Sequence, residues 1–230
     1  MKVKLIAHTE VDRDALFALG YATQGYKNAD ELAEFAGRNC YRSFKRPNPA
    51  TRNNNDYLKH IIDSGHESVL EHASATFYIE ASRSVLTELE RHRHLSFSVV
   101  SQRYVDATQL GGHLPPILDE VPDHIRSALS FVIDRATGEA GFAYRAIVSE
   151  LEKLGFPRKQ CREAARCVLP NLTNSPMVVS GNHRAWRYVI KARWHKAADA
   201  EIRTLAGLLL DELREIAPNT YQDIPHIPYS

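Results

Sequence analysis

Residues 72–93 read HASATFYIEASRSVLTELERHR, and the spacing of their apolar side chains changes halfway along. The first nine residues alternate as in a half-buried strand, one side of which would carry Ala73, Ala75, Phe77 and Ile79. Ser82 or Ser84 can then cap a helix, because the apolar residues that follow recur at helical spacing. The pattern predicts a strand and then a short helix whose last turn delivers the basic residues 91–93.

The rest of the chain is predicted to be mostly helical. Further strands are predicted at residues 2–8, 97–105 and 175–180, and helices at residues 29–40, 56–65, 122–154, 158–168, 182–197 and 199–216. A polar loop with Pro47 and Pro49 separates the first two helices, and Gly155 followed by Pro157 ends the longest one. We therefore predict an α+β fold, a single helix-rich domain over residues 1–230 with a small central sheet.

Composition limits the class of protein. The 230 residues carry 29 basic and 28 acidic side chains, a formal net charge of +1, so no global field attracts nucleic acid or a membrane surface. No stretch approaches the roughly 18 uninterrupted apolar residues of a membrane span, and the first residues do not form an export signal. Three cysteines, Cys40, Cys161 and Cys167, leave one unpaired in any disulfide scheme. We expect a cytoplasmic protein with free thiols and no membrane contact.

The segment RHRHLSFSVVSQRY, residues 91–104, contains three arginines, two histidines and three serines but no acid. Guanidinium groups bind phosphate bidentately, and serine hydroxyls can complete the oxygen shell, so the segment indicates a local anion site. A solvated basic helix end is the simpler alternative, because cations are favoured at the C-terminal end of a helix. His92 and His94 could also begin a metal site, but no third ligand has convincing spacing.

A second basic cluster lies on the helix predicted at residues 182–197. At about 100° per residue, one side of this helix carries Arg184, Arg187, Tyr188 and Lys191, and the opposite, apolar side carries Trp186, Val189, Ile190 and Ala197 together with Arg193. An arginine on an apolar stripe must either extend its head to water or meet a partner, since burying it unpaired is very costly. Arg193 is therefore the sharpest single-residue indication of a binding site.

The order of these blocks resembles one enzyme family. Arg91-His92-Arg93, seven further residues and Ser101 match the signature RHR-x7-S of flavin-dependent thymidylate synthases. The preceding GHESVLEHASATFYIEASRSVLTELE and the later ARCVLPN, residues 165–171, and GNHRAWRYVIKAR, residues 181–193, look like further family blocks. The resemblance covers most of residues 57–217 and is strongest to the actinobacterial branch.

This resemblance implies a fold and a reaction. It implies the fold of the thymidylate synthase-complementing proteins, and the methylation of dUMP to dTMP with 5,10-methylenetetrahydrofolate as carbon donor. FAD, reduced by NADPH, would supply the hydride, and the absence of a GxGxxG segment after a strand agrees with a flavin site of another kind than a Rossmann domain. It also implies a homotetramer whose subunits share the active sites.

The resemblance also assigns residues. The flavin-binding positions would be Ser68, Arg91, His92, Arg93, Asn182 and Arg184, with Val99, His183 and Tyr188 nearby. The dUMP-binding positions would be Glu88, Arg91, Ser101, Gln102, Arg103, Arg166 and Arg193. His66 matches a histidine near the flavin and the folate. Arg193 would have the main catalytic role, because a guanidinium against the uracil edge stabilises negative charge that develops as C5 becomes nucleophilic.

Three other mechanisms or functions fit parts of the pattern. Cys161 or Cys167 could attack the substrate covalently, and Ser101 is a nucleophile candidate without an assured base, so we interpret it as a substrate contact. A nucleic-acid-binding protein could use the two basic segments, although the near-zero net charge argues against it. A metal hydrolase built on His92, His94 and His72 lacks an acidic ligand cluster.

Overall fold

The computed structural model describes residues 1–46 and 48–230, so Pro47 of the polar loop lies outside the described residues. The strands are β1 (Lys2–His8), β2 (Ser74–Glu80), β3 (Ser96–Val99) and β4 (Met177–Asn182). The helices are α1 (Arg13–Ala18), α2 (Asn28–Cys40), α3 (Asn54–Asp63), α4 (Arg83–Leu89), α5 (Asp123–Lys153), α6 (Arg158–Ala165), α7 (His183–Arg193) and α8 (Ala200–Ile216). The α+β, helix-rich fold predicted from the sequence is confirmed.

The alternating stretch forms β2, and its predicted inner face is the buried one. Ala73, Ala75, Phe77 and Ile79 are each at most 3% exposed. The four strands form one antiparallel sheet in the order β1-β2-β4-β3. The backbone N–H of His183 donates to the carbonyl of Ala73 at 3.1 Å, which carries the pairing of β2 and β4 to the first residue of α7.

The transition from strand to helix follows the sequence signal, but the helix is shorter than predicted. Ser82 caps α4 by accepting the N–H of Val85 at 3.3 Å. Because α4 ends at Leu89 with Glu90 as its C-cap, Arg91 begins the turn after the helix rather than its last turn. The strand predicted at 97–105 is also shorter, since the N–H groups of residues 104 and 105 both turn back to the carbonyl of residue 101 at 3.0 Å.

The chain folds into two compact units. The first unit comprises residues 1–2, 79–91 and 98–177. Within it α6 packs on α5 around buried Ala107, Tyr144 and Ala165. The long helix α5 stops where predicted, because Gly155 has φ +83°, a left-handed conformation that favours glycine.

The second unit comprises residues 3–78, 92–97 and 178–230. One of its clusters packs α2 against α3 through Ala33, Tyr57, Leu58, Ile61, Val69 and Leu70. Another fixes the short helix α1, which the sequence did not predict, through Val11, Leu16 and Tyr21. Trp186 of α7 is fully buried and meets the ring of Phe77 edge to face at 5.1 Å. The sheet and the buried side of α7 therefore form one core.

Candidate active site

A cavity of about 300 Å³ in the second unit brings three predicted site residues together. His66, Ser68 and Arg184 all line it. The other lining residues come from α2, α3 and the segment after α3: Gly37, Cys40, Tyr41, Tyr57, Ile61, Gly65, Glu67 and Val69. Cofactor sites are typically apolar and aromatic with a few placed polar groups, and this lining has that character.

Tyr57 forms a fixed wall of this cavity, which the sequence did not indicate. A Cβ atom at Gly37 would lie 2.0 Å from the Tyr57 hydroxyl oxygen, so the ring can take this position only against a glycine. On its face the ring meets the guanidinium of Arg38 at 4.6 Å. Burial raises the pKa of Tyr57 to about 12. A glycine inside a helical pattern was the available signal of such a close approach.

Arg184, which lines the cavity and is one of the predicted flavin-binding residues, forms an ion pair with Glu71. Arg184 Nη1 lies 2.5 Å from Glu71 Oε1, and its side chain is 51% exposed. Asn182, two residues earlier, caps α7 by accepting the N–H of Ala185 at 2.8 Å. An exposed pair of this kind contributes little to stability, so the guanidinium can exchange Glu71 for an anionic ligand.

A second group of predicted residues meets toward the C-terminal end of α7. Arg193 Nε donates to His92 Nε2 at 3.1 Å, and the His92 ring lies edge to face with Tyr188 at 5.5 Å. Because Nε2 accepts this hydrogen bond, the imidazole is neutral and has its proton on Nδ1. Here the structure joins residues of the first and second basic clusters, 101 positions apart in sequence.

The helical projection of α7 was wrong about which arginine is buried. Arg187, predicted on the polar side, is 0% exposed, whereas Arg193, predicted on the apolar side, is half-buried. Two features explain the difference. The helix ends at Arg193, so the apolar stripe does not continue to Ala197. Thr220 and Asp223, near the end of the chain, cover the face of the helix that carries Arg187.

The side chain of His183 is buried inside the second unit. It is 1% exposed, and its Nδ1 shares a hydrogen bond of 2.9 Å with the hydroxyl of Tyr221. Burial, and to a smaller extent the charge of His8, lowers the pKa of His183 to about 4, so the ring is neutral. The enclosed imidazole ties the start of α7 to Tyr221.

The remaining predicted residues belong to the first unit, with the exception of Arg93. Arg91, Arg103 and Arg166 are exposed, Glu88, Val99 and Ser101 are half-buried, and Arg93 in the second unit is exposed. Arg103 Nη1 lies 3.6 Å from Glu163 Oε2, and Glu163 stands three residues before Arg166 at the end of α6. This places Arg103 and Arg166 at the same end of one helix.

Gln102 differs from its neighbours in this segment. It is 6% exposed, and within residues 1–46 and 48–230 its Nε2 has no hydrogen-bond partner. A buried amide donor without a partner is costly, and such groups are often completed by a ligand.

The three cysteines differ in exposure. Cys161 is fully buried and its Sγ donates to the carbonyl of Phe156 at 3.4 Å, whereas Cys40 and Cys167 are exposed. Among the described residues no three histidine, cysteine or acidic side chains are grouped so that they could hold a metal ion.

In the same part of the chain, every helix is too short or too polar to cross a bilayer.

Comparison with known proteins identifies the family. The family model of the thymidylate synthase complementing proteins matches residues 22–219, so the chain belongs to that family. It is 66% identical over 242 residues to a probable flavin-dependent thymidylate synthase of Mycobacterium phage L5, with all of both chains covered. It is 43% identical to the flavin-dependent thymidylate synthase of Mycobacteroides abscessus, over 97% of this chain and 89% of the relative. The chain is thus a member of the flavin-dependent thymidylate synthases, a family of methyltransferase-type enzymes.

Proposed function

We propose that this enzyme transfers one carbon from 5,10-methylenetetrahydrofolate to C5 of dUMP, with bound FAD and NADPH, and so forms dTMP. The observation that supports this most directly is the cavity in which His66, Ser68 and Arg184 meet. These residues were assigned to the flavin and folate on sequence resemblance alone. Their common cavity provides the concave, mostly apolar surface that such a ligand needs.

The residues of the second unit fit a flavin dinucleotide. Arg184 and Ser68 would bind its polar groups, Asn182 and Tyr188 extend the surface along α7, and His92 and Arg93 contribute from the RHR segment. Bound FAD supplies a hydride, which protein side chains cannot carry. The ring of Tyr57 offers a rigid apolar wall on the far side of the cavity.

The dUMP phosphate would be bound by arginines. Arg91, Arg103 and Arg166 are exposed, and a guanidinium can bind two phosphate oxygens at once. Ser101 and Gln102 would contact the nucleotide, and the unsatisfied Gln102 amide offers a donor that a ligand oxygen can complete.

Arg193 would activate the uracil ring. A guanidinium held against the O2 and N3 edge stabilises the negative charge that spreads over the ring as C5 becomes nucleophilic. The neutral His92 ring that accepts from Arg193 Nε fixes the orientation of that guanidinium without removing its charge. No enzyme nucleophile is required in this scheme, in agreement with the burial of Cys161.

The assembly we propose is a homotetramer with shared active sites. Of the 31 described residues of α5, Tyr144 alone is buried. Ile125, Leu129 and Val132, which share one side of this helix, are 41%, 41% and 61% exposed. An exposed apolar stripe of this kind marks an interface, and further copies of the chain are the occupant we propose.

We also propose that residues 1–230 act as one catalytic domain and that the protein, with its free thiols, works in the cytoplasm.

The proposed function can be tested by the colour and the activity of the purified protein. We expect a yellow preparation that releases FAD on denaturation and forms dTMP when dUMP, 5,10-methylenetetrahydrofolate and NADPH are supplied. A colourless protein that cannot be reconstituted with FAD and shifts oligonucleotides in a gel would instead support the nucleic-acid-binding alternative.

A further inference from the structure

The chain after α8 runs along the whole length of α7. At the start of the helix Tyr221 meets His183, and in the middle Asp223 meets Arg187. At its end Trp194 Nε1 donates to the carbonyl of Pro225 at 3.1 Å, and the N–H of Tyr229 donates to the carbonyl of Trp194 at 2.9 Å. We call residues 220–229 the C-terminal strap.

The centre of this contact is an ion pair between the buried Arg187 and Asp223, whose side chain is 28% exposed. Arg187 Nη1 and Nη2 donate to Oδ1 and Oδ2 of Asp223 at 2.7 and 2.8 Å, and Nη1 also donates to the carbonyl of Thr220. Burial alone would lower the pKa of Arg187, but the hydrogen bond and charge of Asp223 raise it instead. Glu67 of the cavity lies 3.5 Å from Nη2, so the same guanidinium reaches the cavity lining.

The start of the strap is anchored to α2. Asp30 of α2 accepts the N–H groups of Asn219 and Thr220, both at 2.9 Å, and the Thr220 hydroxyl at 2.6 Å. The strap therefore cannot slide along α7 without breaking hydrogen bonds that are buried. Arg187 is thus held between the cavity lining and a segment fixed by α2.

We propose that Arg187 and Asp223 are positioning residues, which fix α7 so that its residues Arg184, Tyr188 and Arg193 are held at the flavin and the nucleotide. This inference rests on the proposed function for the roles of those three residues. Arg187 does not touch the ligands in this scheme. It acts through the helix, since Arg184 and Tyr188 flank it in sequence on the exposed face.

The test separates stability from positioning. Asp223→Asn removes the bidentate carboxylate from the buried Arg187 guanidinium and leaves it only the longer pair with Glu67 at 3.5 Å, so the Tm should fall by about 5 °C. The double variant Arg187→Met/Asp223→Leu removes both charges and fills the space with apolar atoms, which is often neutral for stability. We expect its Tm to return to within about 3 °C of the unmodified protein.

The activity of the double variant should not recover with its Tm. We expect kcat for dTMP formation to fall by about tenfold and KM for dUMP to change by less than about threefold, because the phosphate arginines lie on other segments. In the ligand-free protein the α7 amides should exchange with deuterium about tenfold faster, and those of α8 at the original rate. Removal of the exposed pair Lys153–Glu150 of α5, as Lys153→Met/Glu150→Leu, is the control and should change none of these quantities.

Two results would overturn the proposal. If the double variant regains both Tm and kcat, the ion pair stabilises the fold without positioning α7. If α7 exchange is unchanged, the strap does not hold the helix, whatever the enzyme does. An unmodified protein that forms no dTMP would contradict the proposed function instead, and the exchange measurement would still decide whether the pair fixes α7.

Discussion

Arg193 Nε donates to Nε2 of His92 at 3.1 Å, so the last residue of α7 is hydrogen-bonded to the middle residue of the RHR segment. His92 is only 8% exposed. Its ring packs edge to face against Tyr188, which lies five residues before Arg193 in α7. The neutral His92 ring orients one edge of the Arg193 guanidinium. The positive charge of that guanidinium remains available to a ligand. The contact brings one residue of each basic segment together although they lie 101 positions apart in sequence.

Arg193→Ala should abolish dTMP formation and leave the flavin bound. Removing one electrostatic contact to a charge that develops in the transition state costs on the order of 100- to 1,000-fold in kcat. Lys196→Ala removes an exposed cation three residues later and should have nearly normal turnover. The measurements are dTMP formation and the flavin absorption spectrum of each purified variant. Near-normal turnover of Arg193→Ala would refute the assigned mechanism even if the family assignment stands.

Replacing Cys161 and Cys167 together by Ala should leave activity readily measurable. Cys161 is enclosed against α5 and its thiol already donates to a carbonyl, so it cannot reach a substrate carbon. The loss of one buried sulfur should lower the Tm slightly without affecting chemistry. Complete loss of activity in a variant with unchanged circular dichroism would revive covalent catalysis by a thiol.

His183 should make the fold sensitive to acid. Its folded-state pKa, about 4, lies below the ordinary value of 6.5, so the fold favours the neutral ring. That stability is fully present above pH 6.5 and is lost as pH falls toward 4, by on the order of 2 kcal/mol between pH 7 and 4.5. His183→Gln cannot titrate, so urea unfolding across this range should show the unmodified protein losing stability relative to the variant. A difference that is constant with pH would contradict the neutral, buried assignment.

A charge on the exposed stripe of α5 should disrupt the assembly. Val132→Glu places a carboxylate where we expect apolar burial between copies, which is costly when the charge has no partner. Light scattering should show the unmodified protein at four times the chain mass of 26.0 kDa and the variant at a smaller multiple. Asp134→Lys, on the opposite side of the same helix, is the matched control. An unmodified protein that is already monomeric would contradict the proposed homotetramer.

Local signals predicted most of the fold. Alternation placed Ala73 to Ile79 on the inner face of β2, and Ser82 capped the next helix, because both features depend only on neighbours in sequence. The boundary of α7 was less accurate, since the helix ends where Trp194 turns toward the strap. A projection cannot detect such an end, because it follows from contacts with a segment some 30 residues later.

The site was predicted unevenly for the same reason. Residue type and spacing predict that the basic residues of the two clusters bind an anion, and this stays a prediction. Arg187 was misplaced because its burial depends on Asp223, and Tyr57 was missed because its role depends on the space left by Gly37. Both relations are contacts between distant segments, which have no periodic signature in the sequence.

The most direct test of the account is a structure of the protein with FAD and dUMP bound. We expect the guanidinium of Arg193 within about 3 Å of the uracil edge, with the flavin ring beside it. Arg91, Arg103 and Arg166 should bind the phosphate, including those supplied by a neighbouring copy. If these four arginines point into separate regions of solvent while dUMP binds elsewhere, the central claim is wrong.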